Sequence, residues 1–349
     1  MENKKECFGK IDIYILFGGG LLLIYTAKRL KELGIHVFVV TSERHSKETQ
    51  CIDSKTNTLL GWLDDDRIEY VISKDITVDE RVLSAISDAT IGLSFGAAWI
   101  FKQEFIDRFD GKLLNLHGAQ LPKNRGGGGF SWRIMQGDKV GVSLIHKVDA
   151  GIDTGDIVFS EEYTYPEKCK VPLDYQKYSV NKYNELLDTF FDKVKNLKSF
   201  NLSAQKERFS SYWPRLSTDV HGYIDWNWTL IDIERFICAF DEPYAGASTF
   251  VNGVKVRIKE CYSSADDGVF HPFKKGLIYR KNDEGVFVAT ENGSIVFNQV
   301  LDNEGRDMTR TLKVGDRFYT PQKFIEESMR YRAVYTPTGL KSLNQFYAK

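Results

Sequence analysis

The stretch that most limits what this chain can fold into lies near its start. Ile11-Asp12-Ile13-Tyr14-Ile15-Leu16-Phe17 is a short, almost unbroken apolar run, the pattern of a strand buried on both faces. Gly18-Gly19-Gly20 follows as a turn. Leu21 to Leu33 then reads as a helix closed by Gly34, and His36 to Thr41 as a second strand. A strand, a crossover helix and a second strand predict a parallel pair, and hence an open α/β sheet. The triple glycine could cradle a dinucleotide phosphate. It is not G-x-G-x-x-G, however, and no clear acidic residue beyond Glu43 closes the second strand. It reads as a tight strand-to-helix turn.

Residues 42–66 are polar and fit no period. Glu69 to Ser73 reads as a short strand, Val78 to Ile86 as a helix and Thr90 to Phe95 as another strand. The small residues of Gly96-Ala97-Ala98 before Trp99-Ile100-Phe101 either let backbone approach a flat ligand or simply pack strand against helix. After the apolar Lys112-Leu113-Leu114 come Asn115 and His117, two apart and so on one face of a strand end. Asp153 follows within a glycine-flanked loop. An imidazole can take a proton near neutral pH, an amide can donate to an oxyanion, and a carboxylate can orient the imidazole. These three residue types suit acyl transfer.

The string Asn115-Leu116-His117-Gly118-Ala119-Gln120-Leu121-Pro122-Lys123-Asn124-Arg125-Gly126 continues through Gly137-Asp138, Gly141-Val142-Ser143 and Asp149-Ala150-Gly151-Ile152-Asp153-Thr154-Gly155. In residues and spacing it resembles the signature of the folate-dependent formyltransferases. The resemblance implies 10-formyltetrahydrofolate as co-substrate, no metal, and Asn115, His117 and Asp153 as the catalytic residues. It also implies a folate pocket drawing on Trp99, Phe101, Asp149 and Ile152.

Gly126 to Gly129 either seats an anion on its N–H groups or acts as a flexible link. Strands are expected over Val142–Val148 and Ile157–Tyr165. Leu173 to Leu197 is a long helix with Leu186, Leu187, Phe190, Phe191 and Val194 on a core-facing stripe. Residues 199–216 turn polar, ending in Trp213-Pro214-Arg215, and read as a linker. A helix over Leu230–Phe240 comes next. Short runs then alternate (Ala247–Val251, Val254–Glu260, Gly276–Arg280, Val286–Ala289, Ser294–Val300), as in a small β barrel. Asp225-Trp226 and Ala239-Phe240-Asp241-Glu242-Pro243-Tyr244-Ala245-Gly246 extend the resemblance to the C-terminal domain of the same family.

The expected architecture is α/β. It has a Rossmann-like formyltransferase domain with an open, mostly parallel sheet (1–205), a smaller OB-like β-barrel domain (206–320) and a tail (321–349) with one helix, Gln322–Arg332. Five scattered cysteines without a CxxC suit a reducing cytoplasm. The longest apolar run, Ile11 to Ala27, holds Asp12 and three glycines, so no membrane span is expected.

Acceptor identity is read from charge. The formal net charge is −1, and residues 206–349 carry 20 Lys and Arg against 19 Asp and Glu without a basic run. A nucleic-acid footprint needs clustered cations. The expected acceptor is therefore a nucleotide-linked amino sugar, with the tRNA of methionyl-tRNA formyltransferases second and an amino acid or hydroxyornithine third. Trp132 either stacks on a base or packs at a hinge. A binding-only folate protein and a hydrolase releasing formate are the remaining classes, and a homodimer is compatible with all of them.

Overall fold

The computed structural model describes residues 4–127, 129–336 and 339–340. Gly128 and the end of the tail, residues 341–349, lie outside the described residues.

The opening run forms β1 (Ile13–Gly18), followed by α1 (Leu21–Glu32) and β2 (His36–Thr41). Gly18, at φ 121°, lies so close to its neighbour that a Cβ there would sit 2.4 Å from the Phe95 carbonyl oxygen. The first of the three glycines is thus needed where two strand ends close up. The sheet is completed by β3 (Glu69–Ile72), β4 (Thr90–Phe95), β5 (Leu113–His117), β6 (Val140–Lys147) and β7 (Ile157–Thr164), in the order β7-β6-β5-β4-β1-β2-β3. The first five strands in sequence run parallel, while β6 and β7 form an antiparallel edge. The expected mostly parallel sheet is therefore present.

Between β5 and β6 lies α2 (Gly129–Gln136), and α3 (Pro172–Lys195) follows β7. Leu186, Leu187, Phe190, Phe191 and Val194 of α3 are buried in one cluster with Leu23, Ile24 and Ala27 of α1. Each such side chain contributes about 1.5–3 kcal/mol through burial, which fixes α3 across one face of the sheet.

Three expectations change. Residues 42–66, unreadable from periodicity, form a short helix (Glu43–Ser46), a hairpin (Thr49–Ile52 with Lys55–Thr58) and a second helix (Leu59–Asp65). The helix expected over Val78–Ile86 shrinks to Glu80–Leu83, because the Asp79 carboxylate accepts from the Arg81 N–H and starts the helix late. The segment 199–216 is no loose connector. Phe200–Asn201 pairs with Lys5–Glu6, and Tyr212–Trp213 runs parallel to Arg125–Gly126.

Beyond it, α4 (Leu230–Ala239) packs on a six-stranded antiparallel sheet. Its strands are β8 (Ala247–Val251), β9 (Val254–Ser264), β10 (Ile278–Asn282), β11 (Gly285–Thr290), β12 (Gly293–Leu301) and β13 (Phe318–Tyr319), ordered β10-β11-β12-β9-β8-β13. The sheet curls until its edges meet. The Phe318 N–H donates to Gly276 O, and the Ile278 N–H to Asp316 O, each at 2.8 Å. The core of this module continues onto Ile134, Tyr165 and Tyr175 of the N-terminal half. Helix α5 (Gln322–Arg330) ends the described helices, and none of these is long and apolar enough to cross a membrane.

Candidate functional site

The site grows out of the end of β5. Strand alternation places Asn115 and His117 on one face, and antiparallel pairing sets His146 of β6 directly across from Asn115. The Lys147 carbonyl can only accept, so His146 Nδ1 carries the proton and donates to it at 2.8 Å. His146 Nε2 is then free to accept from the Asn115 amide at 3.0 Å. That bond fixes which end of the Asn115 amide is the NH₂ group.

Asp153 arrives from the loop joining β6 and β7 with φ 53°, a left-handed conformation tolerated best by Asn and Asp among residues with a side chain. Its Oδ1 lies 3.7 Å from both His117 Nδ1 and His146 Nε2. Its Oδ2 accepts from the Gly126 N–H at 2.9 Å. The glycine-rich turn thus does seat an anion, and the anion is the protein's own carboxylate. The loop is braced from behind by Gln205, whose amide donates to Asp153 O and Gly155 O at 2.9 and 2.7 Å. Buried Arg125 in turn holds Gln205 and pairs with Glu207 at 2.9 Å.

The electrostatics follow from this packing. Burial is the largest influence on His117 and lowers its pKa, as does His146; the Asp153 charge and the nearby Asn124 carbonyl pull the other way without restoring it. His117 is therefore neutral at pH 7. For Asp153 burial is again the largest single influence and raises the pKa. It is outweighed by the two imidazoles and the Gly126 N–H, which bring the carboxyl down to about 2. At 3.7 Å the histidine contacts are ion-pair distances, so the Gly126 bond is the firm directional hold. His117 Nε2 is buried and makes no hydrogen bond to a described residue. With the ring proton on Nδ1, facing the Asp153 carboxylate, Nε2 is left as an acceptor with no donor among the described residues, and His117 lines a cavity.

That cavity has a volume of about 400 Å³ and is lined by all seven residues singled out in the sequence: Asn115, His117, Asp153, Trp99, Phe101, Asp149 and Ile152. Their postures differ. The Phe101 ring stacks on Phe105 at 5.9 Å, so it backs onto the core. Trp99 Nε1 donates to Lys74 O at 3.2 Å, and Ile152 is 55% exposed on its loop. Asp149 accepts from the Gly151 N–H and the Thr154 hydroxyl, which shapes the loop itself. Trp132 does not line this cavity. Its Nε1 donates to Pro214 O at 2.8 Å, and its ring lines a separate apolar cavity with Trp228 and Phe236. It packs at the junction between the two halves.

Sequence reading missed His146 and Gln205, and did not foresee that the anion on the Gly126 N–H would be Asp153. His146 was visible only as one polar residue in the run Val142–Val148, and its register against Asn115 needs the fold. His117, His146 and Asp153 also offer ligand atoms within 4.8 Å of one another, the spacing of a metal-binding group. Here His146 Nε2 is already occupied by the Asn115 amide and Asp153 Oδ2 by Gly126.

Comparison with known proteins bears on this geometry. Residues 17–171 match the family model described as formyl transferase, and residues 217–312 the one described as formyl transferase, C-terminal domain. Methionyl-tRNA formyltransferase of Ruminiclostridium cellulolyticum is 28% identical over 248 residues, covering 70% of this chain and 76% of that protein. The same enzyme of Acetivibrio thermocellus is 28% identical over 253 residues, covering 69% and 78%. Among solved structures, an N-formyltransferase from Helicobacter canadensis, in complex with folinic acid and dTDP-3-aminofucose, superposes with a TM-score of 0.63 at 19% identity. It covers 82% of this chain and 98% of that one. WlaRD, described as a sugar 3N-formyl transferase, gives 0.61 at 19%, covering 82% and 97%. The first family match contains Asn115, His117, His146 and Asp153, the second covers most of the curled sheet, and the chain belongs to the folate-dependent formyltransferase family.

Proposed function

We propose that this chain transfers a formyl group from 10-formyltetrahydrofolate to a primary amine, and that the amine belongs to a nucleotide-linked amino sugar. The observation that carries the transfer is the meeting of Asn115, His117 and Asp153, with His146, on one wall of a cavity. The small residues Gly96, Ala97 and Ala98 on the cavity wall leave room for a flat ring beside backbone. This suits a pteridine.

Asn115 offers the N–H not used by His146 to the oxygen of the formyl carbon as an amine adds and that oxygen becomes negative. His117, neutral and with Nε2 unpartnered, accepts the proton released by the attacking amine. Asp153 stabilises the resulting imidazolium from 3.7 Å. His117 then returns the proton to the folate nitrogen as its bond to the formyl carbon breaks. One C–N bond forms, one breaks, and the proton passes from one nitrogen to the other through a single side chain.

The sugar acceptor is supported by the even charge of residues 206–349 and by the likeness to a structure solved with dTDP-3-aminofucose. A second reading, formylation of methionyl-tRNA, is favoured by the names of the relatives found by sequence. Incubation with 10-formyltetrahydrofolate and a panel of nucleotide-linked 3- and 4-amino sugars, beside charged initiator tRNA, tests the choice. Formylated amino sugar is the expected product. Formylation of the tRNA alone overturns the sugar reading, and formate release without an acceptor overturns transfer itself.

A further inference from the structure

The cavity is also lined by three guanidinium groups that the formyl-transfer chemistry does not use. Arg44 from the short helix Glu43–Ser46, Arg215 from the end of the connecting segment and Arg332 from just beyond α5 all line it. They come from three distant parts of the chain, so only the fold brings them together. Arg44 and Arg215 are near enough to act on the same neighbours. After burial, the largest influence, both lower the pKa of His45, which falls to about 4, and both oppose the upward push of burial on Glu48. The Arg332 guanidinium lies over Tyr212, 6.0 Å from the ring centre, and Tyr212 lines the same cavity.

Two features hold these side chains in place. The Arg215 side chain lies along Gly127, where an added Cβ would come within 2.3 Å of its Cγ and 2.8 Å of its Nε. Arg332 sits on a strap between buried Tyr331 and Ala333. His221 pins that strap: its Nδ1 accepts from the Ser217 N–H at 2.8 Å, so Nε2 carries the proton and donates to Tyr331 O at 3.0 Å. The carboxylates lining the cavity are Asp149 and Asp153, and both are engaged within the catalytic loop. Glu48 stands close enough to Arg44 and Arg215 to feel both charges, so an incoming anion would share them with it.

We propose that Arg44, Arg215 and Arg332 form an anion seat that takes the phosphates of the acceptor, with the strap after α5 supplying its third cation. Guanidinium groups match phosphate oxygens in geometry and charge. An acceptor held there by its phosphates can extend its amine towards His117. The inference rests on the formyl-transfer reading for the use of the cavity, and adds that the acceptor is a phosphate ester anchored partly by the tail. The glutamate carboxylate of folate is the competing anion.

The test titrates the full-length protein with inorganic pyrophosphate, thymidine 5′-diphosphate and, separately, 5-formyltetrahydrofolate by calorimetry. Wild type is compared with Arg332→Gln, Arg215→Gln and Gly127→Ala, circular dichroism confirming that each variant is folded. Each arginine variant is expected to weaken both phosphate ligands about tenfold or more, with folate affinity unchanged. Gly127→Ala is expected to reproduce Arg215→Gln by displacing its side chain. Unchanged pyrophosphate binding in Arg332→Gln and Arg215→Gln overturns the seat. A loss of folate affinity as large as the loss of diphosphate affinity also overturns it, assigning the arginines to the folate carboxylate. Binding is read without chemistry, so the two proposals fail separately. Arginine-dependent diphosphate binding without formyl transfer sinks the enzyme reading alone, and formyl transfer with arginine-indifferent binding sinks the seat alone.

Discussion

Changing Asp153 to Asn keeps the size of the side chain and removes its charge. In the folded protein this carboxyl sits at about 2 against an ordinary aspartate value of 3.8, which favours the anion by about 2 kcal/mol. The side chain is 16% exposed, so solvent screens little of that preference. When His117 takes up a proton, the carboxylate 3.7 Å away stabilises it by about 4 kcal/mol in an effective dielectric of ~20. An amide dipole in its place retains part of this, so the expected loss in kcat is about 10²–10³-fold. Single-turnover formyl transfer under saturating substrates reads it directly. A variant within tenfold of wild type refutes the assignment of Asp153 as the group that bears the charge of His117. Stability gives an independent check. A carboxyl depressed in the folded state stabilises fully above its unfolded pKa and loses that contribution as pH falls towards about 2. The variant should therefore be less stable than wild type in urea at pH 7, where the carboxylate is held by the Gly126 N–H, and the gap should close on acidification.

Further outcomes are expected from the same geometry. The ring resonances of His117 should titrate below 6.5, because burial favours the neutral imidazole. They should move lower still in Asp153→Asn, which removes the group that pulls the pKa up; a titration above 6.5 in the folded wild type contradicts the site. By the same sign, His117 costs the protein stability as pH falls below 6.5, where the unfolded chain takes up the proton first. Gly126→Ala forces a side chain onto φ 95° and places its Cβ 2.5 Å from Trp213 O, so it should cost about 1–3 kcal/mol in urea and reduce kcat. Gly129→Ala, where a Cβ meets open space, should stay within about 0.5 kcal/mol of wild type; equal losses in the two would remove the packing argument.

Much of the catalytic wall was legible because it depends on local rules. Strand alternation puts Asn115 and His117 on one face whatever else the chain does, and the glycines around Asp153 announce a loop. The apolar runs before and after them specify strands at nearly the observed bounds. His146 was hidden because its partnership with Asn115 is a matter of antiparallel register, which no local pattern states. Residues 199–216 misled for a related reason: polar composition suggests solvent, whereas Gln205 and Arg125 are polar because they satisfy one another behind the loop. Residues 42–58 form their hairpin and short helix with few apolar positions to mark a period. The tail was opaque for the opposite reason. Arg332, Ala333 and Val334 reach the cavity only because α5 docks where it does.

The pairing of Tyr212–Trp213 with Arg125–Gly126 bears on any attempt to shuffle the two halves of such enzymes. A hybrid spliced just ahead of Gln205 would combine its own catalytic residues with a foreign brace and a foreign Arg215. Its failure would then be blamed on the incoming partner instead of the join. Placing the seam beyond Leu216 keeps each wall with the beams that support it, and lets the incoming half contribute only the cation that follows α5.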